Sequence, residues 1–293
     1  MTILDGGMGR ELLRIGAPFR QPEWSALALM DGPDWVLQAH QNFVAAGAQV
    51  ITTNSYACVP FHIGADRFGA RGHELASLAG TLARRAVDGG VAVAGSLPPV
   101  FGSYRPDLFD AGRVGAVLDV LVDALAPSVD HWLIETTASI AEACAALDAV
   151  SQHASAHALP RWVSFTLEDS LDAEGRAHLR SGEAIEAAVD AVGAQVSAVL
   201  FNCSQPEVMG PAVEQVATRL NGAAAVGVYA NAFPLIAEEA TANEVLLEIR
   251  QDLDPQSYAR FAQGWVDRGA SIIGGCCGIR PDHIHALATS FAG

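Results

Sequence analysis

The sequence predicts an α/β fold in which strands and helices alternate, and three observations support this. Eight short, β-branched apolar segments recur along the chain, and a segment with helical periodicity follows each of them. Uninterrupted apolar segments of this length are typical of parallel strands that are buried on both faces. The chain has 293 residues, and a closed barrel of eight strand–helix units needs about 250 residues. We therefore predict a (β/α)8 TIM barrel that forms one domain over residues 1–293.

The predicted strands cover residues 2–5, 49–54, 91–97, 132–136, 162–166, 198–203, 225–231 and 271–276. Apolar residues at helical spacing predict helices at 35–46, 75–86 and 114–125. Helix-start signals, several of them prolines, predict further helices that begin near Ile140, Glu183, Pro206, Pro255 and Pro281. Glycines stand where helices are expected to end, at Gly47, Gly89, Gly222 and Gly269. The longest irregular segment, 231–254, is expected to form a lid or an additional helix.

An open, doubly wound sheet is the alternative architecture. A dinucleotide-binding sheet of that kind carries Gly-x-Gly-x-x-Gly after a strand, with an acidic residue about 20 positions later. The sequence has no such pattern, and it has no linker or low-complexity segment that would divide it. The closed barrel is therefore the simpler interpretation.

The charge composition excludes several functions. The net charge is −16, whereas nucleic-acid and anionic-membrane binding both need clustered basic residues. All 17 basic residues are arginines. Schiff-base catalysis, pyridoxal-phosphate anchoring and Walker-A phosphate binding all require a lysine. The expected partners are therefore small molecules, and a homo-oligomer is compatible with the sequence.

Features of the N-terminus and the cysteine pattern predict a cytoplasmic protein. The first ten residues show no basic segment followed by an apolar one, and no run of about 18 apolar residues occurs anywhere in the chain. The chain has five cysteines. In a cytoplasmic protein of this length, they favour metal binding or catalysis over disulfides.

Three of these cysteines lie at predicted strand ends, where the active site of an α/β barrel is expected. Cys203 ends the sixth strand, and Cys276 and Cys277 end the eighth. Neighbouring residues in a strand point in opposite directions, so the adjacent pair can converge only if the backbone bends, which the flanking glycines permit. Three thiolates favour Zn²⁺ over Mg²⁺ or Ca²⁺. Catalytic zinc sites have three protein ligands and one open position.

The other two cysteines have different interpretations. Cys144 falls on a predicted helix and is interpreted as a packing residue. Cys58 follows the second strand, and it is either a packing residue or a fourth thiolate. A fourth thiolate would close the coordination sphere and make the zinc structural.

The pattern of motifs resembles the homocysteine S-methyltransferase family almost from end to end. The residues that carry the resemblance are Leu4-Asp5-Gly6-Gly7-Met8-Gly9, Gly47-Ala48 with Ile51-Thr52-Thr53, Glu135-Thr136, Asn202-Cys203, and Gly274-Gly275-Cys276-Cys277-Gly278 followed by Pro281, His283 and Ile284. Trp24-Ser25-Ala26 and Phe165-Thr166 are more similar to the branch that uses S-methylmethionine than to the betaine branch.

The resemblance implies a zinc-dependent S-methyltransferase that converts homocysteine to methionine. It implies that Cys203, Cys276 and Cys277 are the catalytic metal ligands and that the sulfur of homocysteine, or of its selenium analogue, is the fourth ligand. Zinc deprotonates a coordinating thiol, which would make the acceptor nucleophilic. It further implies that Glu135 and Asp5 hold the substrate ammonium group.

Other residues are assigned to substrate binding on their position. Backbone amides of Gly6-Gly7 and Thr52-Thr53 are expected to hold the acceptor carboxylate. Tyr56 is the best-placed aromatic for a cationic methyl donor, with Trp24 and Phe101 as further candidates. Asn231, at the end of the seventh strand, is also assigned to substrate binding.

The methyl donor is expected to be S-methylmethionine or a similar sulfonium. Betaine-using relatives carry an aromatic residue after the glutamate of the fourth strand, where this chain has Thr136. The chain also departs from the S-methylmethionine branch after the seventh strand, where Ala230-Asn231-Ala232-Phe233 replaces Pro-Asn-Ser-Gly. Betaine and methylfolate therefore remain alternative donors.

Two functions of other classes also remain open. One is a non-catalytic zinc- or thiol-binding barrel with a closed site of four cysteines that includes Cys58. The other is a lyase or isomerase that uses Glu135 and a hard metal ion such as Mg²⁺.

Overall fold

Eight parallel strands form the centre of the molecule. The computed structural model describes residues 1–234 and 249–291. The strands are β1 (Thr2–Ile3), β2 (Val50–Thr52), β3 (Ala92–Leu97), β4 (His131–Thr137), β5 (Arg161–Phe165), β6 (Ala198–Asn202), β7 (Ala225–Tyr229) and β8 (Ile272–Ile273). Each pairs in parallel with its neighbours in the order β1-β8-β7-β6-β5-β4-β3-β2. A parallel bridge between Leu4 and Val50 closes the sheet, which confirms the predicted (β/α)8 barrel.

Helices follow the strands around the barrel. They are α1 (Met8–Ile15), α2 (Ala26–Asp31), α3 (Pro33–Ala45), α4 (Pro60–Ile63), α5 (Ala65–Ala86), α6 (Val114–Leu125), α7 (Ile140–Gln152), α8 (Ile185–Val192), α9 (Pro206–Leu220), α10 (Pro255–Asp267) and α11 (Pro281–Ser290). Four predicted helix starts, at Ile140, Pro206, Pro255 and Pro281, are confirmed at those residues, and the fifth lies two residues later, at Ile185. No helix among residues 1–234 and 249–291 is long and apolar enough to span a membrane.

Two apolar layers hold the barrel together. A small cluster fills the barrel interior with side chains from the strands, among them Leu4, Val50, Leu133, Leu200 and Ile272. A much larger cluster packs the helices against the outside of the strands. Because each strand is buried on both faces, its sequence is continuously apolar, and this is why the strands could be recognised in the sequence.

The structure departs from the prediction where the chain leaves the regular βα pattern. The short helices α1, α2 and α4 were not predicted. After β5 the chain forms an antiparallel excursion at residues 167–184, in which Leu167 pairs with Leu179. Trp35 was expected on the buried face of α3, but it is 41% exposed, and Val36, His40 and Phe43 face the core instead. Most of the predicted lid or helix at 231–254 lies outside the described residues.

Glycines let the loops after β1 and β8 pack against each other. A Cβ atom on Gly7 would stand 2.6 Å from the carbonyl oxygen of Cys276, and one on Gly275 would overlap the side chain of Ile279. The backbone bonds confirm this close approach, because Gly275 N–H donates to Asp5 O at 3.0 Å and Gly7 N–H donates to Ile279 O at 2.9 Å. The two glycine motifs therefore fix the strand-8 cysteines against the end of β1.

Candidate metal and substrate site

The three cysteines predicted as metal ligands meet at the carboxyl ends of β6 and β8. The Sγ atoms of Cys203, Cys276 and Cys277 all lie within 4.8 Å of one another. Cys203 Sγ is 2.8 Å from Cys276 Sγ and 3.8 Å from Cys277 Sγ. Strand β7 lies between β6 and β8, so the thiols come together across one intervening strand.

A tight turn after β8 directs both strand-8 thiols to this point. Cys276 N–H still donates to Ala230 O of the β7 end at 2.9 Å, and Ile279 N–H closes a turn onto Cys276 O at 3.1 Å. Gly278 has a φ of 85°, a left-handed value that glycine adopts without strain. The predicted backbone bend is therefore present, and it falls just after the cysteine pair.

The three thiols share protons and differ strongly in acidity. The pKa of Cys277 lies well below its usual range, because Cys203 and Cys276 donate hydrogen bonds to its sulfur and the nearby Arg10 adds positive charge. The pKa of Cys276 is raised, because hydrogen bonds with Cys203 and Cys277 and burial favour its neutral form. Negative charge in this cluster therefore settles first on Cys277.

Asn202 supports the thiols from the adjacent position in β6. Its side-chain nitrogen donates to Thr136 Oγ1 at 2.8 Å and lies 3.9 Å from Cys276 Sγ. Its side-chain oxygen accepts from Thr136 N–H at 3.0 Å and from Ser164 Oγ at 2.8 Å. Both Thr136 and Cys203 have positive φ, at 58° and 54°, so this network holds two strained strand ends in place. In the sequence, Asn202 belongs to the Asn202-Cys203 motif, but no pattern there indicates its role.

Cys58 does not join this cluster. Its thiol is fully buried and lies 3.9 Å from Asn54 O, and burial raises its pKa to about 12. Cys58 is not part of the thiol group described above, so the geometry does not support a site closed by four cysteines. Cys144 lies on α7 and packs against the core, as expected for a packing residue.

Two buried carboxyl groups, Asp5 and Glu135, face the same end of the barrel. Burial raises the pKa of Asp5 to about 8, although Thr52 N–H and Thr52 Oγ1 donate to its two oxygens at 2.8 and 3.1 Å. Burial also raises the pKa of Glu135 to about 7. Ser96 Oγ donates to one oxygen of Glu135, and Tyr229 OH lies 3.4 Å from the other. A cation bound here would favour the charged form of both groups.

Thr53 belongs to the internal hydrogen bonding of the barrel end. Its hydroxyl bonds Ser55 Oγ at 2.8 Å and accepts from Ser96 N–H at 3.0 Å, while its amide donates to Ala94 O. The amides of Gly7 and Thr52 are likewise bonded, to Ile279 O and to Asp5. Three of the four amides expected to bind the acceptor carboxylate are thus already used by the protein, which corrects that part of the prediction.

The rings of Tyr56, His62 and Trp24 pack in a row at the same end of the barrel, and we call this row the aromatic wall. Tyr56 OH bonds Ser103 Oγ at 2.5 Å, and the phenol interacts electrostatically with Cys203 and Glu135. The His62 ring lies between the rings of Tyr56 and Trp24, with centroids 6.3 and 5.8 Å away. The third candidate, Phe101, packs instead under the guanidinium of Arg113 at 5.3 Å.

Asn231 shapes the segment that follows β7. Its side-chain oxygen accepts from Phe233 N–H at 3.1 Å, and Ala232 N–H donates to Cys277 O at 2.8 Å. Phe233 in turn lies under the guanidinium of Arg10, with 5.3 Å between the guanidinium carbon and the ring centroid. The side-chain nitrogen of Asn231 is buried and has no hydrogen-bond partner among the described residues. Its two N–H groups can therefore donate hydrogen bonds to a bound molecule.

Comparison with known proteins identifies the family. The homocysteine S-methyltransferase family model matches residues 2–291. The chain belongs to the homocysteine S-methyltransferase family. A homocysteine S-methyltransferase of Escherichia coli K12 is 29% identical over 98% of this chain and 94% of its own length. Homocysteine S-methyltransferase 1 of Zea mays is 27% identical over 100% of this chain and 94% of its own.

The fold of a solved family member agrees with this assignment. The metallated form of the homocysteine methyltransferase MmuM from Escherichia coli superposes with a TM-score of 0.79 at 26% identity. The match covers 99% of this chain and 96% of that one. The resemblance inferred from the sequence motifs is therefore confirmed.

The chemistry of the thiol cluster fits a metal ion of the zinc type. Two thiolates on a tetrahedral zinc, each about 2.3 Å from the metal, stand roughly 3.8 Å apart, and the sulfurs of Cys203 and Cys277 are separated by 3.8 Å. Cys276 Sγ is closer to Cys203 than this, so a small side-chain rotation would complete the set. Soft sulfur ligands exclude Mg²⁺ as the preferred ion, which argues against a lyase that depends on a hard metal.

Two residues near the thiols of this protein, Arg10 and Tyr104, could not be assigned to the site from the sequence. Arg10 lies near Cys277 and raises the positive charge at the site. Tyr104, from the loop after β3, has a φ of 64°, and its phenol lies near the Cys203 thiol and acts to lower the pKa of that thiol. Arg10 lies in the short helix α1, which was not predicted, and Tyr104 lies in a loop, so hydrophobic patterning gave no signal for either residue. The single usable signal was the proximity of Arg10 to the Asp5-Gly6-Gly7 motif.

Proposed function

We propose that this protein is a zinc-dependent homocysteine S-methyltransferase that takes a methyl group from S-methylmethionine or a closely similar sulfonium. The observation that carries the proposal is the convergence of Cys203, Cys276 and Cys277 at the mouth of a family-typical barrel, apart from Cys58. Three protein thiolates leave one position of a tetrahedral ion for a substrate thiol, as in other catalytic zinc sites.

The chemistry requires a nucleophilic acceptor sulfur at neutral pH. A zinc ion held by the three cysteines would supply it, because a thiol that coordinates zinc loses its proton. In the transfer, a bond forms between the acceptor sulfur and the donor methyl carbon while the bond from that carbon to the sulfonium sulfur breaks. The bonding electrons stay on the donor sulfur, which leaves as a neutral thioether. No general acid is needed for this leaving group.

Glu135 and Asp5 would hold the ammonium group of the acceptor. Their burial raises both pKa values, to about 7 and about 8, and an ammonium ion between them would restore the charged forms. Because Ser96 and Tyr229 fix the carboxyl group of Glu135, the acceptor would be held in one orientation. Holding the acceptor sulfur, the methyl carbon and the donor sulfur in line is expected to supply a large part of the rate acceleration.

The donor would lie along the aromatic wall of Tyr56, His62 and Trp24. A sulfonium carries a full positive charge, and aromatic faces attract such cations. Loss of the methyl group neutralises the charge, so the wall binds the donor more tightly than its product. The buried side-chain nitrogen of Asn231 is a further contact that we assign to substrate binding. The three free thiols would need a reducing compartment, which supports a cytoplasmic location.

The test is a methyl-transfer assay with zinc-loaded protein and homocysteine, in which methionine is measured by mass spectrometry. S-Methylmethionine, betaine and methyltetrahydrofolate are supplied in separate reactions. We expect methionine with S-methylmethionine, and a loss of at least about 1,000-fold in kcat/KM for Cys276→Ala. Turnover with betaine or methyltetrahydrofolate alone would reassign the donor, and the absence of turnover with every donor would overturn the proposed function.

A further inference from the structure

An arginine and an aspartate form a largely buried ion pair near the carboxyl end of β5, and the proposed reaction uses neither. Arg180 and Asp169 both belong to the excursion that follows β5. Two guanidinium nitrogens of Arg180 lie 3.1 and 3.3 Å from the oxygens of Asp169. Their side chains are only 16% and 10% exposed. The desolvation free energy of a buried ion pair often exceeds the free energy gained from the pairing. We therefore looked to ligand binding for the function of this pair.

Tyr104 connects this pair to the reacting centre. The guanidinium carbon of Arg180 lies 5.3 Å from the centroid of the Tyr104 ring. At its other end, the Tyr104 phenol lies close enough to the Cys203 thiol to lower the pKa of that thiol, and negative charge on any of the three cysteines raises the pKa of Tyr104. The loop after β3 therefore carries an aromatic ring whose face lies against the arginine and whose hydroxyl lies near the thiols.

The guanidinium retains an unused donor. Arg180 Nε is buried and has no hydrogen-bond partner among residues 1–234 and 249–291. The backbone of Arg180 is fixed, because its N–H donates to Thr166 O at the end of β5 at 2.9 Å. Arginine binds carboxylates through two parallel N–H groups. If Asp169 gives up one of its two hydrogen bonds to Arg180, Nε and the freed terminal nitrogen form such a pair for a second carboxylate.

The distances suit a donor that bears a carboxylate. The Arg180 guanidinium carbon lies 5.3 Å from the Tyr104 ring centroid. Adding about 3 Å from the centroid to the phenol oxygen and about 4 Å from that oxygen to the Cys203 sulfur places the guanidinium within about 12 Å of this thiol. In an extended sulfonium amino acid, roughly 5 Å separates the sulfonium sulfur from the carboxyl carbon. A donor whose methyl group faces the acceptor at the thiols therefore reaches the arginine with its carboxylate.

We propose that Arg180 binds the carboxylate of the methyl donor and that Asp169 binds its ammonium group, so that this pair selects zwitterionic sulfonium amino acids. The assignment rests on the proposed function, in which the second substrate is a sulfonium. It adds the residues that recognise the part of the donor distant from the methyl group. Without donor, the two side chains pair with each other, and the donor replaces that pair with two matched contacts.

Calorimetric titration of zinc-loaded protein tests this without turnover. Three sulfonium probes differ only in their charged groups: S-methylmethionine, (3-carboxypropyl)dimethylsulfonium without the amine, and (3-aminopropyl)dimethylsulfonium without the carboxylate. We expect Arg180→Gln to weaken binding of both carboxylated probes at least 10-fold and to leave the third unchanged. Asp169→Asn should weaken only the two probes that carry an amine. Arg176→Gln is the matched control, because Arg176 pairs with Glu186 at the exposed side of the same excursion.

The outcomes separate this assignment from the proposed function. Equal affinity of Arg180→Gln and the wild-type protein for S-methylmethionine overturns the assignment, even when methionine is formed. A uniform loss with all three probes also overturns it, because it indicates a structural role of the ion pair. Arg180→Lys is the alternative variant if Arg180→Gln does not fold. Because lysine keeps the charge but lacks the planar guanidinium, we expect its affinity for the carboxylated probes to lie between those of the wild-type protein and Arg180→Gln. Charge-selective binding without methyl transfer would preserve the assignment and overturn the function.

Discussion

Cys58 differs from the cluster of Cys203, Cys276 and Cys277 in its surroundings, although all four residues lie near the ends of barrel strands. Cys58 follows β2, is completely buried within the apolar core and has its thiol 3.9 Å from the carbonyl oxygen of Asn54, so burial raises its pKa to about 12. The clustered thiols are also largely buried, but each lies against the other two. Burial alone therefore makes an inert thiol, whereas burial with convergent neighbours makes a set of metal ligands.

The backbone accounts for this difference. Cys203 has a positive φ, and Gly278 makes the turn after Cys277, so both strand ends turn their thiols toward one point. Gly7 and Gly275 allow the β1 and β8 loops to approach closely enough to hold that turn. Nothing similar surrounds Cys58, whose neighbours Ala57 and Val59 are fully buried apolar residues.

Serine substitutions at the two sites should give the largest contrast. Cys203→Ser replaces a soft thiolate by a poor zinc ligand, so we expect zinc affinity to fall by at least about 100-fold. Cys58→Ser should leave the zinc content at one ion per chain and change only stability. Metal content after dialysis against a weak chelator, measured by mass spectrometry, checks both variants. Equal metal loss from both would contradict the division between the two kinds of thiol.

Alkylation of the metal-free protein should separate the thiols by pH. Because the pKa of Cys277 is lowered below its usual value of about 9, its thiolate persists as the pH falls from 9 toward neutrality. Cys58 remains protonated until about pH 12. At pH 7.5 we expect iodoacetamide to modify Cys277 at least about 100-fold faster than Cys58. Peptide mapping reads out both rates, and preferential labelling of Cys58 would be the contrary result.

A methyl group added at Gly7 should produce a smaller effect. In Gly7→Ala the new Cβ meets the Cys276 carbonyl oxygen at 2.6 Å, so the two loops must separate. We expect a loss of about 1–3 kcal/mol in the free energy of unfolding, accompanied by weaker zinc binding. Gly69→Ala is the control, since apart from the adjoining backbone of α5 no described atom lies within 4 Å of a Cβ at that position. If both variants behave alike in thermal unfolding and metal titration, the close loop contact does not position the cysteines.

The sequence predicted the regular part of the molecule well, for a physical reason. The eight strands are buried on both faces, so their apolar character is continuous and visible without a structure. The ends of the strands were less accurate: residues 271–276 were predicted as a strand, but β8 contains only Ile272–Ile273. Beyond Ile273 the chain turns toward the residues that follow β1, where a Cβ on Gly274 would overlap Leu4 and the Gly275 N–H donates to Asp5 O.

The thiols of the site were predictable, whereas their surroundings were not. Cys203, Cys276 and Cys277 stood at recognisable strand ends, and barrel closure brings strand ends together. Tyr104 and Arg180 reach the site from irregular segments, and Arg10 reaches it from the short helix α1, which was not predicted. Their direction depends on local backbone angles, such as the positive φ of Tyr104, which the residue types do not encode in any periodic way. The same limit explains why the amides near Thr53 were assigned to a substrate although the barrel itself uses them.

Zinc-edge X-ray absorption, with and without homocysteine, counts the sulfur ligands of the zinc ion. We predict three sulfur ligands and one light atom in the zinc-loaded protein, and four sulfurs after homocysteine is added, because the cluster supplies three thiolates and leaves one position for the acceptor. Cys58→Ala should give the same two spectra. Four sulfurs before addition, unchanged by homocysteine, would contradict the account and indicate a closed structural site.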